Sequence, residues 1–231
     1  MTDNISNSFE ETLKDSDLQS VGGNLSELLI DSVMEDGVLK DIPVISTIIG
    51  LSNVGIKISD RILLNKIISF LFELKNIPNS KREEMVNKID NSKKYKIKVG
   101  EKILLIIERC NDYENSQYVA KLFSAYIMGK INYADFLRGA NIIQSLEIND
   151  FKDFLKLDKN KFRYNFKNPD KLNYDDVKYL MHVGIFESNT EEISVREQDD
   201  WKLADQPYVV EGGELTYDIT ELGKTLYDAI N

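Results

Sequence analysis

Ile42-Pro-Val-Ile-Ser-Thr-Ile-Ile-Gly-Leu-Ser-Asn-Val-Gly-Ile56 runs for fifteen residues without a charge. After Lys57, Asp60 and Arg61, a second apolar stretch from Ile62 to Leu74 admits only Lys66 and Glu73. The fold turns on where this material goes. A spanning helix needs roughly 20 apolar residues to cross about 30 Å of hydrocarbon. The first stretch falls short, and lengthening it takes in charges, so no membrane span is expected. Three places remain: a central helical hairpin (42–74) buried in its own bundle, an interface with a second copy, or a membrane met conditionally. Burial in the bundle leads. Ser46 with Gly50, and Gly55 with Ser59, stand four residues apart, the spacing at which small residues let two helices approach closely. These four are the candidate contacts for self-association.

Charge is unevenly distributed around this stretch. The chain carries −10 overall, yet residues 41–110 hold thirteen bases against eight acids. Residues 1–40 hold nine acids and two bases, and residues 156–231 sixteen acids and ten bases. The one basic zone therefore coincides with the most apolar part of the chain. Lys93, Lys94, Lys96 and Lys98 are its densest cluster and the candidate contact for an anionic lipid surface.

Working outward, the helical period dominates up to about Leu157. Residues 1–17 are polar and are expected to be a flexible N-terminus. Leu25, Leu28, Leu29 and Val33 lie on one face of a helix ended by Asp36-Gly37. Asp41 is placed to cap the next helix, with Pro43 in its first turn. Ser80 starts another helix, and Val99 to Cys110 reads as a buried one. Val119, Leu122, Phe123, Tyr126 and Ile127 form an i, i+3, i+4 stripe that stops at Gly129. Asn132 caps a helix whose face uses Phe136, Leu137, Ile142, Ile143 and Leu146. The pattern then changes. Residues Lys159 to Leu172 read as a linker, Tyr174 to Gly184 as a short helix, and Ile193–Val195, Tyr208–Val210 and Leu215–Ile219 as short strands. Gly212-Gly213 reads as a turn and Thr220 as the cap of a last helix. The expected fold is mainly α: a helical bundle over 18–157 and a small α+β module over 158–231.

Residues able to carry chemistry are few. His182 is the single histidine and Cys110 the single cysteine, 72 positions apart in different expected domains. One imidazole excludes His-rich metal sites, and a lone thiol in an apolar run reads as core. Gly129 to Phe136 echoes the end of a calcium loop, but Tyr126 and Met128 would fall on ligand positions and offer no suitable oxygen. Adjacent acids such as Asp175-Asp176 point in different directions on a helix and make a poor two-metal site. No phosphate-binding glycine loop or nucleophile elbow is present. No cofactor, metal ligand or catalytic residue is expected. With no disulfide framework and a polar, acidic start, a reducing cytoplasm is the expected compartment, with membrane association only on activation.

Two resemblances add to this. The order helix, Leu180 to Glu187, strand, Gly-Gly turn, Tyr217-Asp-Ile-Thr220, then Glu221-Leu-Gly223-Lys-Thr-Leu226, is similar to winged-helix domains. That resemblance covers roughly residues 160–231 and implies a recognition helix and a wing. The family's usual nucleic-acid contact is disfavoured by the wing, which carries Glu211, Glu214 and Asp218 with no base among them, since phosphate contacts supply most non-specific DNA affinity. Gly37 to Val44 and Ile58-Ser-Asp-Arg-Ile-Leu63 look similar to uncharacterised bacterial proteins, some from phage-defence or mobile loci, and imply no catalytic residue. The leading expectation is a non-enzymatic interaction or effector protein with a protein partner or a second copy of itself. A winged-helix transcription regulator and an enzyme of unrecognised type are the alternatives.

Overall fold

The computed structural model describes residues 2–16, 18, 38–51, 57–92, 97–157, 163–165, 174–197, 208–213 and 215–231. The chain divides into two compact units, residues 1–148 with 228–231, and residues 149–227. The architecture is mainly α, with a small C-terminal strand module.

The first unit contains α1 (Thr2–Lys14), a 3₁₀ turn (Val38–Asp41), α2 (Pro43–Leu51), α3 (Ile58–Leu74), α4 (Asn79–Asp90), α5 (Val99–Arg109), α6 (Tyr113–Ile127) and α7 (Tyr133–Ser145). The expected flexible N-terminus is instead helical over 2–14. The reason is visible in the packing: Phe9 and Leu13 recur at i, i+4 and are fully buried, so even a polar segment gains enough apolar burial to order itself. The helix expected over Leu18 to Met34 lies almost wholly outside the described residues; Leu18 itself is buried.

The described parts of both apolar stretches are largely helical, and most of their apolar residues are turned inward. Val44, Ile45 and Ile48 of α2, and Leu64, Ile67, Ile68, Phe70, Leu71 and Leu74 of α3, are core residues. The two do not form a mutually packed hairpin, however. Helix α2 packs mainly on α1, and α3 mainly on α6. A line of rings shows the continuity of this core: Phe9 to Phe70 and Phe70 to Phe123 at 5.9 Å, then Phe123 to Phe136 at 5.2 Å, joining α1, α3, α6 and α7. Such tilted ring pairs contribute beyond their buried area.

The sequence signals that delimit these helices act as polar chemistry requires. Asp112 accepts from the Asn115 amide at 2.9 Å to cap α6, and Asn132 accepts from the Asp135 amide at 3.0 Å to cap α7. Helix α6 ends where the Gly129 amide donates to Tyr126 O and the Lys130 amide to Ala125 O, with Gly129 at φ 74°. Asp41 does not cap α2; it lies in the preceding 3₁₀ turn, and Pro43 is the first helical residue. Thr12 supplies a polar contact from another helix, its hydroxyl accepting from the Val44 amide at 3.1 Å.

The second unit contains α8 (Ile148–Leu155), β1 (Arg163–Asn165), α9 (Tyr174–His182), β2 (Phe186–Thr190), β3 (Ser194–Glu197), β4 (Tyr208–Glu211), β5 (Leu215–Ile219) and the start of α10 (Glu221–Ile230). Strand β5 is the centre of an antiparallel sheet in the order β1-β5-β2, and β3 and β4 form a separate two-stranded ribbon. Two strands differ from the sequence reading: β1 lies within the expected linker, and β2 begins at Phe186 and carries no apolar alternation. Both are edge strands, whose pairing is set by the backbone of β5 rather than by a hydrophobic pattern of their own. Phe154 packs edge-on against Phe186 and Tyr227, and Val177, Leu180, Ile185, Ile219 and Leu226 are buried with them. Thr220 caps α10 as expected, its hydroxyl accepting from the Gly223 amide at 3.0 Å. Gly223 is required there, because a Cβ would stand 2.4 Å from the Ile185 carbonyl oxygen.

Candidate interaction surfaces

The small-residue spacing does not mediate helix contact within the chain. Ser46 and Gly50 lie on the exposed side of α2, where a Cβ on Gly50 would meet nothing within 4 Å. Ser59 is exposed in the first turn of α3, and Gly55 lies outside the described residues. Close approach occurs elsewhere. A Cβ on Gly100 of α5 would stand 2.9 Å from Glu10 Cβ and 3.2 Å from Ser6 O of α1. The signal existed in the sequence as a lone glycine inside a helical run, and only the tertiary arrangement says which glycine matters.

The basic cluster is likewise partly outside the description: Lys93, Lys94 and Lys96 are not described, and Lys98 is exposed immediately before α5. Two other cations of the basic zone are turned inward. Arg82 is 1% exposed and donates to Leu13 O at 3.0 Å, Asp15 O at 2.7 Å and Ile77 O at 3.2 Å. It satisfies carbonyls at the end of α1, where the helix dipole favours a cation. Burial lowers its pKa, and the nearby Asp15 opposes that. Lys66 does the same for α5, donating to Glu108 O at 3.1 Å and to Cys110 O. Charges that read as a surface patch thus include two internal helix caps.

Cys110 is buried, and desolvation pushes its thiol up to about 12, more than Lys66 pulls it down. A thiol so high holds almost no thiolate near neutrality. His182 is exposed and belongs to the other unit. Among the described residues no group of three or more His, Cys, Asp or Glu side chains could hold a metal ion, and no helix is long and apolar enough to cross a membrane.

A cleft of about 330 Å³ opens in the first unit between the end of α4 and the turn joining α6 to α7, lined by Met85, Lys88, Ile89, Tyr126, Ile131 and Tyr133 among others. Its size suits a small ligand, but a binding site also needs convergent polar groups. The Asn132 side chain on its rim is committed to capping α7. The cleft offers apolar walls and one exposed ammonium group, with no acid–base pair.

The second unit carries a surface that the sequence reading overlooked. In the β3–β4 ribbon, Val195 pairs with Val210 and Glu197 with Tyr208. Because side chains alternate along a strand, Ile193, Val195, Tyr208 and Val210 share one face. All four are 62–66% exposed. The opposite face carries Arg196 and Glu211, whose carboxylate accepts from Arg196 Nη2 at 2.9 Å and Nε at 3.1 Å. Arg196 is a base beside Glu211 that the sequence reading of Glu211, Glu214 and Asp218 left out; Glu214 lies outside the described residues. The ribbon is anchored at Gly212 and Gly213, both at positive φ. The Gly213 amide donates to Glu191 O, and a Cβ on Gly212 would collide with Glu192 O. Exposed carboxylates at Glu191, Glu192 and Glu197 adjoin the apolar face, while Glu211 on the opposite face pairs with Arg196.

Comparison with models of protein families, with curated proteins and with solved structures finds no match to this chain.

Proposed function

We propose that this is a non-enzymatic interaction protein whose working surface is the apolar face of the β3–β4 ribbon. The observation that carries the proposal is the set of four large apolar side chains, Ile193, Val195, Tyr208 and Val210, standing more than half exposed on one face. A two-stranded ribbon gains little stability by itself in water, and a contiguous exposed apolar patch marks a binding surface. Glycines with no freedom to be replaced hold the ribbon against the Glu191-Glu192 backbone, so the face is presented in a fixed register rather than left to wander.

The order α9, β2, ribbon, β5, α10 supports a winged-helix-like module in which the ribbon is the wing. Its acidic rim repels phosphate, which favours a protein partner over nucleic acid. Most apolar side chains of α2 and of α3 from Leu64 on face inward, so the proposal centres the interaction on the ribbon instead of on a released hairpin. The bacterial defence setting implied by the resemblance at 37–44 and 58–63 remains part of this proposal as the context for an effector or recruiter.

A photocrosslinking residue placed at Val195, expressed in the native host, tests the reading against the same residue at Ser194 on the opposite face. Defined protein adducts from position 195 and not from 194 are expected. Adducts from neither position, or equally from both, would remove the ribbon face as the working surface.

A further inference from the structure

We infer that the ribbon's partner is a second copy of this chain, met head to tail through the first two turns of α3. This rests on the reading of the ribbon as the working surface. Helix α3 begins with Lys57 just before it, then Ile58, Ser59, Asp60, Arg61 and Ile62. Ile58 is 82% exposed and Ile62 is 48% exposed, although the rest of the helix from Leu64 on supplies core residues. At i, i+4 these two isoleucines lie one above the other, about 6 Å apart along the axis. Lys57 and Arg61 repeat the same spacing beside them, both exposed. The one acid of this turn, Asp60, turns its Oδ2 to the Lys57 amide at 3.2 Å, where it stabilises the helix start.

The two surfaces are complementary in shape, period and sign. Ile193 and Val195, or Tyr208 and Val210, are two residues apart on a strand, which separates them by about 6.6–6.8 Å, close to the rise between Ile58 and Ile62. The ribbon face is bounded by Glu191, Glu192 and Glu197, and the helix face by Lys57 and Arg61. Ribbon against ribbon, or α3 against α3, would oppose like charges, which excludes a two-fold self-contact through either patch. Joining unlike patches of identical chains either closes reciprocally as a two-fold pair or, where one patch stays open at each end, extends into a ring or filament.

Sedimentation velocity of the full chain over a concentration series tests this directly. Two double variants each break one patch, V195E with V210E on the ribbon and I58E with I62E on the helix; circular dichroism reports that they remain folded. The wild-type sedimentation coefficient is expected to climb with concentration to that of a dimer or beyond and to fall when salt screens the complementary charges. Each variant alone is expected to stay monomeric. Mixed in equal amounts, they should form a species of twice the monomer mass and no larger, because one ribbon and one helix patch remain intact between them. Should a ribbon variant lose its fold, K57E with R61E gives an independent reading and should also abolish the climb. Wild-type protein that stays monomeric throughout, or a mixture that fails to pair, would overturn the inference. Wild-type binding to anionic phosphatidylserine vesicles through Ile58 and Ile62, without self-association, would overturn it in favour of lipid. If wild type stays monomeric while position 195 still crosslinks another protein, only the head-to-tail contact fails; if position 195 crosslinks nothing, the ribbon reading fails as well.

Discussion

Residues 43–74 and the ribbon strands 194–197 and 208–211 draw on the same β-branched and aromatic side chains, and the fold treats them in opposite ways. In α2, and in α3 from Leu64 on, the apolar residues recur around helices that pack on α1 and α6, and most are withdrawn from water. In the ribbon, alternation sorts them onto one face of two strands, where Ile193, Val195, Tyr208 and Val210 stay more than half exposed. Hydrophobicity alone therefore does not decide exposure. The neighbouring elements able to cover a face decide it.

Substitutions that exploit this contrast should differ widely in cost. Phe70→Ala, which removes a ring in contact with those of Phe9 and Phe123, should lose about 3–5 kcal/mol of unfolding free energy by urea titration. Arg82→Met keeps the volume but leaves the Leu13, Asp15 and Ile77 carbonyls without their donor, at about 3 kcal/mol. Its effect should appear first as loss of amide-exchange protection in α1. Gly100→Ala should cost about 1 kcal/mol, since overpacking against Glu10 and Ser6 by about 1–3 kcal/mol is partly offset by up to ~1 kcal/mol of helix propensity.

A smaller effect depends on pH. Asp90 accepts from the Val99 amide at 2.8 Å. Burial raises its carboxyl pKa above the usual range, the Val99 hydrogen bond opposes this, Glu10 adds to the rise and Lys14 pulls against it. A raised folded-state value means that the folded chain holds this proton more tightly than the unfolded one. The contribution to stability is complete below the unfolded carboxyl value of about 3.9 and is lost as pH rises through the folded value. Asp90→Asn, which resembles the protonated form, should be more stable than wild type at pH 7 by less than about 1 kcal/mol, after allowing for solvent screening. Thermal denaturation should show that advantage closing as pH approaches 4. On the ribbon, Val195→Thr should change monomer stability by no more than about 0.5 kcal/mol, in contrast to Phe70→Ala, although it replaces an apolar group by a polar one.

Much of the first unit was legible in the sequence. Helical periodicity located the buried faces of α6 and α7, and Gly129 and Asn132 marked the end of one and the start of the other because left-handed turns and capping demand particular side chains. What was not legible needed partners remote in sequence. The order in residues 2–14 depends on Phe9 reaching Phe70, and the roles of Arg82 and Lys66 depend on which helix end lies within reach. Ser46 and Gly50 lie exposed on α2, and equal spacing of small residues does not by itself say whether a second helix arrives. In the second unit, β5 announced itself by alternation, whereas β1 and β2 borrowed their pairing from it. The ribbon was visible as two short strands, but its apolar face could be seen only once Val195 was paired with Val210.

Hydroxyl-radical footprinting of the dilute full chain, read residue by residue by mass spectrometry, tests the contrast most directly. The structure predicts strong labelling of Ile193, Val195, Tyr208 and Val210 together with Ile58, and near-complete protection of Phe70, Phe123 and Ile67. Labelling of Phe70 and Ile67 at the level of Tyr208, or protection of the ribbon in a monomeric sample, would contradict it.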